Sequence, residues 1–330
     1  MARADRDYRR NGTIGPSARA SDRHPAGGTR DPNDQTGKTM SPSVTLLYPG
    51  RMGSALARRL VDSGLDDLRS CVDGRSEATR ARATAAGIAL GGADWAASAD
   101  AILSVLPPEL ALDTARAQAA RTAALGQAQV YIDLNAINPG TAREIDAAIT
   151  AAGGLFIDGC IIGTLPRAGY EGPWVYLSGP HTDKASWLAE AGLNVTCLEA
   201  PVGGASALKM CFAGIMKGLQ ALGSASALAA ERNGVGEAFG EILARTQPDL
   251  DAWFARQVPR MYPKTYRWVG EMREIADFLL EHEGAEMFSG AAALYAHLSD
   301  IDAQSAASLA TLRARFGATE PKTPSEAASS

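Results

Sequence analysis

One unbroken helical pattern, from Gly203-Gly204 to Asn233-Gly234, most narrows what this chain can fold into. The glycine pair and Ser206 suit a helix start with Ser206 as the cap, the interior is apolar and alanine-rich, and Asn233-Gly234 supplies the stop. At 1.5 Å per residue the span from Ser206 to Asn233 is about 40 Å. One small domain cannot cover that length with its own core, so the far end must pack on something else. Lys209 and Lys217 are the only charges before Glu231. At about 100° per residue Lys209 shares a face with Ala213, Met216 and Gln220, and Lys217 lies roughly 80° round. A lysine so placed either snorkels to solvent or faces a polar cleft, and the helix alone leaves both open.

Upstream, β-prone runs alternate with helical ones. Val44–Tyr48 reads as a strand, Pro49–Gly53 as a turn and Ser54–Val61 as a helix, the opening unit of a dinucleotide fold. Glycines there let the backbone approach a pyrophosphate lying on the free amides of the helix N-terminus. Gly50 and Gly53 fill the second and third places of the three-glycine fingerprint, and Tyr48 occupies the first; Arg51 and Met52 complete the turn. Glycines in a β-α turn can also be purely steric. The next strand, Ser70–Asp73, ends where such a fold meets the adenosine ribose. Asp73 alone would favour the free hydroxyl of NAD, whereas Arg75 and Ser76, with Arg80 one turn on, offer charge and hydroxyl to the 2′-phosphate of NADP. NADP is the expected cofactor, against a bland reading as a solvated charged turn. Ala101–Leu106, Gln129–Asp133, Leu155–Asp158, Trp174–Ser178 and Asn194–Cys197 follow as strands. Helices are expected over Leu110–Ala124, from the Asn138 cap and Pro139 to about Ala151, and around Asp183–Ala191. This alternation predicts an α/β, Rossmann-type doubly wound sheet. Its ligand cleft would gather Ser104–Pro108, Asp133–Asn138 and Asp158–Arg167, with Val105, Leu106, Pro107 and Asn135 beside the cofactor.

Beyond Gly234 only helices are expected: Glu237–Arg245, Pro248–Arg256, Thr265–Glu283, Ala285–Leu298 and Ile301–Phe316, punctuated by Pro248, Pro259 and Pro263. Arg267 with Glu271 and Arg273 with Asp277 have the spacing of pairs on an exposed face. His282 and His297 have no metal-like companions and read as surface residues, and no metal is expected. The domain reading is a disordered tail over 1–43, an NAD(P)-binding domain over 44–200, an all-α domain over 201–317 joined through the long helix, and a flexible tail over 318–330. Met40 is a candidate for the true start. No uncharged run reaches the roughly 18 residues of a membrane span, and the net charge of −5 argues against nucleic acid as a partner. Cys71, Cys160, Cys197 and Cys211 show no paired spacing, which fits a reducing cytoplasm.

In this order and spacing, Pro49-Gly-Arg-Met-Gly-Ser-Ala-Leu-Ala, Ser104-Val-Leu-Pro-Pro, Ile132-Asp-Leu-Asn-Ala-Ile-Asn-Pro-Gly-Thr-Ala-Arg, Asp158-Gly-Cys-Ile-Ile-Gly and Gly204-Ala-Ser-Ala-Leu-Lys-Met resemble the β-hydroxyacid dehydrogenase superfamily. The resemblance covers about residues 43–300. It is nearest to a subgroup with a distinct helical C-terminal domain, whose signature resembles Tyr266-Arg-Trp-Val-Gly-Glu-Met-Arg-Glu-Ile-Ala. The resemblance implies that Lys209 is the catalytic lysine, exchanging a proton with the substrate's oxygen as hydride moves to or from the nicotinamide. Burial against Met210, Phe212 and Met216 would suit that role by lowering its pKa. Two positions depart from the family: Ala213 stands for an Asn, and Ile162 before Gly163 for a Ser. Gly163, Arg167 and Lys217 remain candidates for substrate. The resemblance also implies that residues 267–274 lie near the cleft, of this subunit or a partner's, and that the chain forms a homodimer. The expected activity is NADP-dependent oxidoreduction of a small polar metabolite. Reduction of a C=N bond, or nucleotide binding without catalysis, are the alternatives.

Overall fold

The computed structural model describes residues 41–166, 169–280 and 284–317. The expectations for residues 1–40, Arg167, His282 and 318–330 lie outside them. Residue 43 is not loose: its amide and hydroxyl both donate to the Asp100 carboxylate, at 2.9 and 2.7 Å, and the Ser43 carbonyl accepts from Ala101 N.

Eight strands form one sheet: β1 Val44–Leu47, β2 Leu68–Ser70, β3 Ala89–Leu90, β4 Ala101–Ser104, β5 Val130–Asp133, β6 Leu155–Ile162, β7 Trp174–Ser178 and β8 Asn194–Cys197. Their order is β3-β2-β1-β4-β5-β6-β7-β8, parallel throughout except for the antiparallel β6–β7 pair. The helices between them are α1 Arg51–Asp62, α2 Glu77–Ala85, α3 Ala93–Ala97, α4 Pro108–Leu125, α5 Pro139–Ala151 and α6 Trp187–Glu190. Chain direction across the sheet reverses between β1 and β4, which opens a crevice at the carboxyl ends of those strands. Both faces of the sheet are covered, as a parallel sheet requires. Successive residues of a strand point to opposite sides: Leu103, Ile132 and Ile157 enter one core, Ile102, Tyr131 and Phe156 the other. The two-residue β3 and the five-residue α3 escaped the sequence reading, because both residues of β3 are exposed and carry no alternation.

The long helix, α7, runs from Gly204 to Arg232. Its cap is Gly203 at φ 96°, not Ser206, whose hydroxyl is drawn instead to Asp158. One end of α7 packs on β6 and β7, and the rest on α8 Gly236–Thr246, α9 Pro248–Met261, α10 Thr265–Phe278, α11 Ala285–Ser299 and α12 Ala303–Phe316. Pro259 does not punctuate. It lies inside α9, because its fixed φ suits a helix and the buried Phe254, Val258 and Met261 hold both sides of it. Where α7 crosses α9 the approach is close, since a Cβ on Gly223 would come within 2.5 Å of the Phe254 ring. No helix among the described residues is long and apolar enough to cross a membrane.

Candidate active site at the carboxyl ends of the strands

β1 leaves the sheet through Tyr48, Pro49 and Gly50, and Gly50 caps α1 with no side-chain hydrogen bond and no acidic residue in the first turn. The amides of that turn are therefore offered to an anion. A Cβ on Gly50 would make only an ordinary contact with the Tyr48 carbonyl oxygen, at 3.9 Å. A Cβ on Gly53 would touch Leu46 and Val105 at 3.4 to 3.5 Å, the tight helix–strand contact expected of the fingerprint's third glycine. The cradle thus fits a dinucleotide's pyrophosphate. Tyr48 takes φ 52°, a left-handed conformation that costs a side-chain-bearing residue about 1–2 kcal/mol. Gly50 N donates back to Tyr48 O at 2.6 Å and closes the turn.

Beyond β2, Asp73 is exposed and Arg75 is half-buried, its guanidinium carbon 3.6 Å from the centre of the Tyr48 ring. Ser76 caps α2, accepting from Thr79 N at 3.3 Å, so its hydroxyl is already in use. Tyr48, Asp73 and Arg75 line a cavity of about 220 Å³, to which α4 adds Arg121. Arg121 was not foreseen, because nothing in a helical run marks which charge turns toward a distant strand end.

The β4 loop of Val105, Leu106 and Pro107 is held from behind. Asn135 Oδ1 accepts from Leu106 N at 2.5 Å, and its Nδ2 donates to Ser104 Oγ at 2.9 Å and to Asp133 Oδ2 at 2.7 Å. Asn135 is 2 % exposed, so it supports the loop by internal bonds. Burial pushes the Asp133 carboxyl up to about 7, and the neighbouring Asp158 adds to this, while the hydrogen bonds from Asn135 oppose it.

Asp158, on β6, is fully buried and accepts four hydrogen bonds: from Ser178 Oγ at 2.8 Å, Gly203 N at 3.0 Å, Ser206 N at 3.1 Å and Ser206 Oγ at 2.6 Å. A carboxylate at a helix N-terminus meets the free amides and the positive end of the dipole. The start of α7 is thereby pinned to the sheet. Three residues along the same strand, the Ile161 carbonyl accepts from Lys209 Nζ at 2.7 Å. Lys209 therefore does not snorkel away. Its pKa is lowered, first by burial and then by the nearby Lys217, with Glu271 acting the other way. Phe212, one turn on, is itself 44 % exposed. Ala213 is buried in the helical core with Met272 and Ile275, so the position where the family carries an Asn faces packing.

Lys217 Nζ lies 2.5 Å from Glu271 Oε2 and 5.5 Å from the Trp268 ring centre. Glu271 thus pairs across to α7 and not with Arg267 on its own helix, because the α10 face carrying Trp268, Glu271 and Met272 turns inward. Glu274 reaches the sheet half, accepting from Asn138 Nδ2 at 2.9 Å. Asn138 caps α5 through its Oδ1, as its position before Pro139 predicted. Gly163, at φ 131°, follows β6 directly and is exposed. His297 is not a free surface residue: it is half-buried, with Nε2 3.0 Å from Ser308 Oγ. Among the described residues no group of His, Cys, Asp and Glu could hold a metal ion.

Residues 44–191 match the NAD-binding domain of 6-phosphogluconate dehydrogenase, and residues 230–298 match a domain of unknown function, DUF1932. With the crevice and its glycine turn, these define a chain with an NAD(P)-binding domain on a dehydrogenase fold. The chain fits the β-hydroxyacid dehydrogenase superfamily. An uncharacterised 28.5 kDa protein of Methanothermus fervidus is 27 % identical over 237 residues, 71 % of this chain and 89 % of that protein. A conserved protein of unknown function, whose structure is described as similar to 3-hydroxyacid dehydrogenases, is 27 % identical with TM-score 0.64, over 79 % of this chain and 98 % of that one. The Mycobacterium tuberculosis 3-hydroxyisobutyrate dehydrogenase with L-serine shares the fold at TM-score 0.66 and 20 % identity, over 83 % of this chain and all of its own.

Proposed function

We propose that this chain is an NADP-dependent oxidoreductase acting on the hydroxyl or carbonyl group of a small polar metabolite, with Lys209 as acid and base. The observation that carries this reading is the Lys209 amine, set on the Ile161 carbonyl with its pKa lowered by burial. When bound, the nicotinamide donates or accepts hydride. Gly50, Arg51, Met52 and Gly53 would take the pyrophosphate, Arg75 the 2′-phosphate, and Val105, Leu106 and Pro107 would flank the dinucleotide. Lys209 would hold the substrate's oxygen at Nζ, taking its proton in oxidation and returning one in reduction. A lowered pKa enlarges the neutral fraction that can act as base. Oxidation should therefore quicken with pH up to that pKa, and reduction should slow. The test is Lys209→Met, which should keep nucleotide binding and lose turnover of hydroxy and keto acids by about 10²- to 10⁴-fold. Undiminished turnover would overturn the assignment.

A second reading, reduction of a C=N bond, draws on Ala213 and Ile162. Both are buried apolar residues where a hydroxy-acid site of this superfamily would carry polar ones. Turnover of cyclic imines with no turnover of keto acids would select it. The proposal includes a homodimer in a reducing compartment. Ile215, Leu222 and Met287 are 64, 62 and 74 % exposed on and beside an apolar groove of about 370 Å³ between α7 and α11, a surface that suits a second copy. Sedimentation of the wild type and Leu222→Glu should give a dimer and a monomer; a monomeric wild type would overturn it.

A further inference from the structure

Tyr48 stands where the fingerprint has its first glycine, and it adopts the positive φ that glycine takes freely. It is the single non-glycine residue with positive φ among the described residues. A side chain kept against the backbone's preference calls for a contact that offsets it. The contact present is Arg75, whose guanidinium carbon lies 3.6 Å from the centre of the Tyr48 ring. At that distance the electron-rich face of the ring attracts the cation and restricts its rotamers. Both residues line the cavity beyond β1 and β2, together with the exposed Asp73.

We propose that Tyr48 is a positioning residue for cofactor choice: its ring holds Arg75 at the ribose end of the nucleotide site, ready for the 2′-phosphate of NADP(H). The inference rests on the NADP reading above. An unheld arginine would lose rotamer freedom on meeting phosphate, whereas a ring-held one has already lost it. Arg75 also brings a positive charge to a cavity that Asp73 lines, where a carboxylate alone would repel a phosphate. NADH carries a hydroxyl at that position and has no phosphate for Arg75 to hold.

The experiment is titration of the full chain with NADPH and with NADH, followed by nicotinamide fluorescence, in wild type, Tyr48→Gly, Tyr48→Phe and Arg75→Ala. Wild type should prefer NADPH. Tyr48→Gly should weaken NADPH by about fivefold, the scale of one cation–π contact, while NADH changes by less than about twofold. Tyr48→Phe keeps the ring and should keep the preference, and Arg75→Ala should abolish it. Because glycine relieves the left-handed backbone, Tyr48→Gly should melt no lower than wild type, which separates lost selectivity from lost folding. NADPH binding unchanged in Tyr48→Gly, equal weakening of both nucleotides, or tighter binding of both would each overturn the role of Tyr48 while leaving the cofactor reading intact. A wild type that binds neither nucleotide would overturn that reading itself.

Discussion

The sheet half and the helical half are held by different means. Beside the crevice the sheet half buries Ser104, Asp133, Asn135, Asp158 and Ser178 and spends them on fixing loop and helix starts through directional bonds of 2.5 to 3.1 Å. The core of the helical half is built from Met210, Phe254, Val258, Met261, Trp268 and Met272, which meet by shape. Hydrogen bonds specify a geometry that apolar contact, being non-directional, leaves to steric fit. The half that fixes the start of α7 and presents free amides is the one that uses them.

The harshest way to break the contrast is Asp158→Ala, which orphans two amides and two hydroxyls at the join of β6 and α7. A loss of about 3–5 kcal/mol is expected in urea unfolding, and Asp158→Asn should recover part of it. The next effect is one of pH. Asp133 has a folded pKa of about 7, above its unfolded value, so its stabilisation is full below the unfolded pKa near 4 and is lost as pH rises through 7. Unfolding free energy should fall by a few kcal/mol across that window, and Asp133→Asn should flatten the slope. In the helical half Gly223→Ala presses a methyl onto the Phe254 ring and should cost about 1–3 kcal/mol. Phe254→Leu in the same chain should return some of that, as a steric clash allows. Smallest is the Lys217–Glu271 pair. A double-mutant cycle with Lys217→Met and Glu271→Gln should show a coupling of about 1 kcal/mol that shrinks in high salt.

Most of the sheet was legible because runs such as those of β1, β4 and β7 are closed by proline or glycine, but β2 lies at Leu68–Ser70, ahead of the expected Ser70–Asp73, and β6 runs on through Gly159 to Ile162. Asn138 before Pro139 marked the start of α5 from sequence alone. The glycine turn after β1 was legible through residue type and order, whereas Lys209 was singled out by the resemblance and the helix alone left its direction open. What stayed hidden depends on distance in the chain. Asp158 looks like the end of an apolar run until β6 is laid against the start of α7, 45 residues later in the case of Gly203. Ser206 looks like a cap until that carboxylate takes its hydroxyl. Arg267 and Glu271 have the spacing of a pair, and only the packing of α10 on α7 shows that Glu271 belongs to Lys217. The conformation of Tyr48 had no signal beyond the glycine it replaces.

α7 is one rigid rod, clamped to the sheet at Gly203 by Asp158 and free of any break until Asn233. It behaves as a lever with its fulcrum at the clamp. At 1.5 Å per residue, a tilt of about 5° would carry its far end nearly 4 Å but Lys209 less than about 1 Å. Rearrangement among the distal helices can therefore be large while the Lys209 amine on the Ile161 carbonyl hardly moves. Run the other way, an ångström demanded at the amine is magnified severalfold where α7 meets α8.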